Sequence, residues 1–194
     1  MPTRQRIQDR PELGRNTLVS LNELELSFAH AIAETRNSTN RKENVKDMVQ
    51  DGKRTSLEVD RDGAEAELAV FKLLGMYPEP MLDTTIRSKA AGTDNGDVVI
   101  DGLTVDVKST RYKTGNLIQS GGVKEAVVDM YCLVIKTTDN TFQIKGFYPA
   151  KLLLSEKNYG KHFPGRPCFL VSQKDLMEYA VCAKKVLDLR KRVV

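Results

Sequence analysis

Apolar residues first recur at helical spacing. Leu21, Leu24, Phe28 and Ile32 follow Ser20-Leu21-Asn22-Glu23, whose ends are spaced as a capping box, and predict a helix to about Thr35 after an irregular, polar segment 1–19. A second, very polar helix is expected from about Arg41 to Gln50, with Asp51-Gly52 ending it. A third runs from about Asp62 to Leu74, where Gly75 and then Tyr77-Pro78-Glu79-Pro80 forbid continuation. Beyond it the period changes to that of strands. Residues 95–110, NGDVVIDGLTVDVKST, read as a hairpin about Asp101-Gly102. VVDMYCLVIK is a continuous apolar run expected of a strand buried on both faces. Thr141 to Tyr148 alternates as another strand, Pro149 to Leu154 suggests a short helix, Cys168 to Val171 a last strand, and Asp175 to Leu189 an amphipathic helix. The order predicts an α/β domain with a mixed sheet flanked by helices, the hairpin and the Met130 strand at its centre.

The hairpin raises an electrostatic question. A two-residue type I′ turn at Asp101-Gly102 sets Ile100 opposite Leu103, Val99 by Thr104, Val98 by Val105 and Asp97 by Asp106. Directly opposed residues have Cβ atoms about 4.5–5.5 Å apart, where like charges destabilise a sheet. Alternation puts Val98, Ile100, Leu103, Val105 and Val107 on one face and Asp97, Val99, Thr104, Asp106 and Lys108 on the other. A hard divalent cation such as Mg²⁺, which takes oxygen ligands, would offset the repulsion between the two carboxylates. The plain alternative is a solvated hairpin face with Lys108 pairing one acid.

The third helix sharpens the choice. At 100° per residue Ala64, Ala66, Leu68, Val70, Phe71, Leu73 and Leu74 cover a broad apolar arc, and Glu67 falls inside it. Glu65 and Lys72 share the narrow polar side, so Glu65 reads as an ordinary exposed residue. A buried carboxylate requires a cation, a metal or a strong donor. Glu67, Asp97 and Asp106 together could hold one or two divalent ions, with Lys108 orienting a water or stabilising developing negative charge, which is the chemistry of phosphodiester hydrolysis.

Composition narrows the class. The chain has 194 residues, enough for one core, and its three cysteines, Cys132, Cys168 and Cys182, lie in apolar segments without metal or disulfide spacing. Apolar runs such as Met130 to Ile135 are too short to span a bilayer, and MPTRQRIQDRPELGRN lacks a secretory apolar stretch, so a cytoplasmic protein without a membrane partner is expected. The net charge of +4 matters less than its placement. From Lys108 to Lys124 there are four cations, Lys108, Arg111, Lys113 and Lys124, and no acid, which makes Arg111, Lys113 and Lys124 candidate nucleic-acid contacts. Gln119 and Asp129 read as a loop polar residue and a strand-end cap. His30 and His162 stand alone in sequence, which argues against zinc or HNH chemistry, and no phosphate-binding Gly-rich motif occurs.

Gly63-Ala64-Glu65-Ala66-Glu67-Leu68, then Gly92-Thr93-Asp94-Asn95-Gly96-Asp97, then Val105-Asp106-Val107-Lys108-Ser109-Thr110, followed by the strand from Asp129, resemble the PD-(D/E)xK nuclease superfamily over about residues 60–150. The chain departs from the pattern in having no proline before Asp97 and Asp in place of Glu at 106. In size and in its glutamate-bearing helix it is similar to small phage-encoded members, for which the location would be the host cytoplasm. The resemblance implies a restriction-endonuclease-like core over residues 56–194, with 1–55 a helical extension. It also implies a Mg²⁺-dependent nuclease, Mn²⁺ being a substitute, with DNA as the expected substrate. Glu67, Asp97 and Asp106 would be metal ligands, and with Lys108 they would form the catalytic set. A homodimer would suit double-strand cleavage, though nothing in the chain demands one. The alternative is a catalytically inactive nucleic-acid-binding or host-interaction protein on the same fold.

Overall fold

The computed structural model describes residues 14–42, 53–76, 96–120, 122–123, 125–163 and 166–191. The expected helix over 41–50 falls mostly outside them, as do the Tyr77–Pro80 breaker, Thr93 to Asn95 and Lys124.

The strands form two sheets. The larger holds β1 (Thr17–Ser20), β2 (Val98–Ile100), β3 (Leu103–Thr110), β5 (Met130–Lys136) and β6 (Thr141–Pro149) in the order β1-β6-β5-β3-β2. It is mixed, with β3 and β5 parallel and every other pair antiparallel. The smaller runs β4-β8-β7, from β4 (Leu117–Ser120), β7 (Tyr159–Phe163) and β8 (Arg166–Val171). Parallel neighbours require a crossover, most often helical. Between β3 and β5 the described residues include β4 instead of a helix, so the basic segment is partly a strand of the second sheet.

The hairpin has the expected register, with Val98 opposite Val105 and Ile100 opposite Leu103. Asp101 and Gly102 both have positive φ, 51° and 78°, as a type I′ turn requires. β2 is nevertheless the edge of the sheet, and β5 is central. Every residue of β5 except Lys136 is buried, because both faces are covered. On one face Val98, Val105, Val107, Cys132 and Val134 share a core with Leu68 and Phe71 of α2 (Ser56–Leu73) and Cys182 and Val186 of α4 (Tyr179–Lys191). On the other, Tyr131 and Leu133 pack with Leu117, Phe169 and Val171 of the second sheet and Leu153 of the short helix α3 (Ala150–Leu153).

Several helix boundaries differ from the sequence reading, and α4 begins at Tyr179 rather than at the expected Asp175, after a separate short turn over Gln173–Asp175. α1 (Glu23–Lys42) is capped not by Ser20 but by Asn22, whose side chain accepts the Glu25 N–H at 2.9 Å while Glu25 accepts the Asn22 N–H at 2.7 Å. It continues past Thr35 and takes in Arg41. α2 starts six residues before Asp62, at a Thr55–Glu58 capping box. Residues 17–19, read as irregular, and Ser20, read as a helix cap, pair with β6. α1 adds Ala29, Ile32 and Ala33 to the main core, so residues 17–42 belong to the same packed unit as the rest.

α1 also covers the side of α2 that the sequence assigns to solvent. His30 meets Glu65 at 2.7 Å, Arg61 donates to Glu34 at 2.6 Å, and Asn37 donates to Asp60 at 2.9 Å. Residues 64–71 of α2 are consequently buried all round.

Candidate active site

The geometry begins at Gly96. Its φ is +83°, and a Cβ there would stand 2.9 Å from the Val105 carbonyl oxygen, so glycine alone fits where the chain enters the hairpin. The next residue leaves the regular ladder. The Asp97 N–H donates to the Val105 carbonyl at 2.8 Å, and the Asp97 carboxylate accepts the Val107 N–H at 2.6 Å. A side-chain oxygen thus takes the strand amide of the residue between Asp106 and Lys108.

Asp106 is buried in the middle of β3, and its two oxygens lie 2.8 and 2.9 Å from the Lys108 ammonium. Lys108 Nζ also stands 5.6 Å from the centre of the Tyr131 ring, on the face turned toward the second sheet. Glu67, only 8% exposed, comes from α2 close enough to Asp97 for their charges to interact. Arg36 of α1 holds it by a fork of two bonds, Nη1 to Oε1 at 2.7 Å and Nη2 to Oε2 at 2.8 Å.

Asp97 joins these groups electrostatically. Burial, and after it the Glu67 and Asp106 carboxylates, push its carboxyl well above the usual range, while the Val107 N–H and Lys108 pull the other way. For Arg36, burial opposes the charge, but the bonds to Glu67 and the Glu67, Asp97 and Asp60 carboxylates outweigh it, and the guanidinium lies above its ordinary value. The donor set is three hard carboxylates, suited to Mg²⁺ or Mn²⁺. Among the described residues no three acidic, histidine or cysteine side chains stand close enough to cage an ion as arranged. Two of the three carboxylates are drawn instead onto Arg36 and Lys108.

A second charged cluster lies beside this one. Asp62, 3% exposed, accepts from Arg111 at 2.6 and 2.8 Å, from Arg54 at 2.9 Å and from Lys136 at 3.3 Å. Lys136 donates also to Glu65 at 2.5 Å. Glu65 is therefore not an exposed residue: it is 2% exposed and paired with Lys136 and His30, because α1 and the end of β5 enclose it.

The remaining candidates separate. Arg111 is half-exposed and its guanidinium lies on Asp62, while Lys113 is exposed and its backbone carbonyl accepts from Gln173. Gln119 sits in β4 opposite Phe169. Asp129 closes the start of β5, accepting from the Thr104 N–H and hydroxyl at 2.8 and 3.0 Å and from Arg190 at 2.5 Å. All three cysteines are buried and outside any disulfide, and burial pushes the Cys182 thiol up to about 12. No described helix is long and apolar enough to cross a membrane.

Arg36, Asp62 and Lys136 were not singled out by sequence. A signal existed for the first: Arg36 lies three residues after Ala33 and four after Ile32, continuing the stripe of α1 that carries Ala29, Ile32 and Ala33 into the core.

Fold and site together define an α/β protein with a mixed sheet and an acidic cluster beside a lysine on its hairpin. The chain belongs to DUF5843, a family of unknown function, which matches residues 11–144. No curated protein and no solved structure matches it.

Proposed function

We propose that the protein is a metal-dependent nuclease that hydrolyses phosphodiester bonds in nucleic acid, DNA being the expected substrate, on a restriction-endonuclease-like core. One observation carries the reading. Asp97, bound to the Val107 amide, faces the charges of Glu67 and Asp106, and Lys108 stands on Asp106. A stable fold has little use for an acid buried against the charges of two others at the end of an edge strand, and the excess negative charge suits a hard cation.

Glu67, Asp97 and Asp106 would hold the ion, which when bound supplies Lewis acidity and lowers the pKa of a water. Val107 fixes Asp97 so that its carboxylate does not have to be ordered on binding. Lys108, drawn by Asp106 and resting near Tyr131, is placed to orient a water or to meet negative charge as it develops on a phosphate. Arg111 and Lys113 follow the same strand; Lys113 is exposed and available to neighbouring phosphates, whereas the Arg111 guanidinium is held by Asp62. Incubation with plasmid and with single-stranded DNA in Mg²⁺, Mn²⁺ or EDTA tests the proposal. Cleavage in metal that EDTA stops is the expected result.

A second reading rests on the pairing of Glu67 with Arg36 and of Asp106 with Lys108. In it the acids are structural and the protein binds nucleic acid without cutting. DNA binding that persists in EDTA, with no cleavage in any metal, would select it.

A further inference from the structure

We propose that Arg36 is a built-in competitor for the divalent cation: α1 delivers a guanidinium that occupies Glu67, and cation binding requires the two to part. The inference rests on reading Glu67, Asp97 and Asp106 as the cation-holding set.

The sequence of α1 leads to this placement. Ala29, Ile32 and Ala33 are 0%, 4% and 0% exposed and form the seam that enters the main core. Arg36 is the next position on that stripe. Where another small apolar residue would continue the seam, the helix turns an arginine toward α2. The residue it meets is the one glutamate inside the apolar arc of that helix.

The bond is a planar fork that engages both oxygens of Glu67, the strongest geometry a carboxylate can be offered by a side chain. A divalent ion needs at least one of those oxygens and is repelled by a guanidinium beside it. The two cations therefore compete, by mutual repulsion and for the same two oxygens, wherever Glu67 is a ligand. Lys108 is a different case, since it lies on Asp106 from the same strand and has its own role there.

The pair is also lopsided. The Arg36 side chain is 42% exposed and that of Glu67 10%. Arg36 can swing its head into water and keep its stem on the helix surface, as long cationic side chains do. Glu67 cannot leave, and without a cation it would be a buried, uncompensated charge. Hence the glutamate is the fixed group and the cation beside it the exchangeable one. In the absence of metal, Arg36 keeps α2 and its acid in place; when metal enters, the arginine is freed on the rim of the site.

Mn²⁺ titration of the full chain, followed by the electron paramagnetic resonance signal of free Mn²⁺, reads this directly and needs no turnover. Arg36→Gln should bind Mn²⁺ about tenfold more tightly than the wild type, within the range usual for coupled sites. Arg36→Lys, which keeps the charge but loses the fork, should fall between them. The double variant with Glu67→Gln should bind no more tightly than Glu67→Gln alone. Should Arg36→Gln fail to fold without metal, Arg36→Lys carries the comparison, and folding of Arg36→Gln restored by Mn²⁺ would support exchange at Glu67. If neither Arg36 variant binds Mn²⁺ more tightly than the wild type, the competition is overturned and the nuclease reading is left standing. Mn²⁺ binding by none of the proteins at millimolar concentration overturns both.

Discussion

The Asp97 carboxylate accepts the Val107 backbone N–H at 2.6 Å, tying the acid at the hairpin's entrance to the strand that bears Asp106 and Lys108. Burial and its acidic neighbours raise the Asp97 pKa above its unfolded value. The folded state then holds this proton more tightly than the unfolded chain does. Stability from the protonated form is complete below about pH 4, the unfolded value, and is lost as pH rises through the higher folded one. Asp97→Asn retains an oxygen for the Val107 amide and cannot ionise. In EDTA its melting temperature should exceed that of the wild type at pH 8 by a few degrees, each kcal/mol being worth about 2–4 °C in a domain of this size. The difference should vanish toward pH 4. A variant less stable at pH 8 would contradict the electrostatic account.

Asp106→Ala and Lys108→Ala should each lower Mg²⁺-dependent plasmid cleavage by on the order of 100-fold or more, the scale of losing a group that stabilises transition-state charge. Circular dichroism should be unchanged. Full activity in either purified variant would refute the nuclease assignment.

Gly96→Ala forces a side chain into the positive-φ region and against the Val105 carbonyl. We expect a destabilisation of about 1–3 kcal/mol, the cost of comparable backbone strain, measured by urea denaturation. Because the displaced residue adjoins Asp97, cleavage should fall further than stability explains at temperatures where the variant remains folded. A wild-type midpoint and rate would show that this turn does not position the acid.

Lys136→Met tests the second charged cluster. It removes a side chain that is 14% exposed and serves both Asp62 and Glu65. Arg54 and Arg111 remain on Asp62 and His30 remains on Glu65, so a loss near the lower end of the range for a broken buried pair is expected, about 3 kcal/mol by denaturant titration. A change within 0.5 kcal/mol, the usual span for surface substitutions, would show that the network is dispensable.

Local chemistry made much of the fold legible. Asp101-Gly102 specifies a tight turn, so the hairpin and its register could be written from residues 98–105. The unbroken apolar run of β5 required a strand covered on both faces, and Glu67 declared itself by sitting in an apolar arc. What escaped was the consequence of packing between distant segments. β1 looks polar because only Val19 of its four residues is buried, and its pairing with β6 joins positions more than 120 residues apart. Glu65 looks exposed on a helical wheel because the wheel does not contain α1.

The sequence by itself determined which residues alternate, where the chain must turn, and which acids and lysine share the hairpin and its preceding helix, since each depends on backbone geometry over a few residues. Only the tertiary structure decided that Arg36 would meet Glu67, that Asp97 would bend onto Val107, and that Asp62 and Glu65 would gather cations from three further segments. Those partnerships follow from how α1, α2 and the sheet are stacked. Charge pairing at a buried seam is set by which side chains the packing leaves within a few ångströms of each other, and no spacing along the chain encodes that distance.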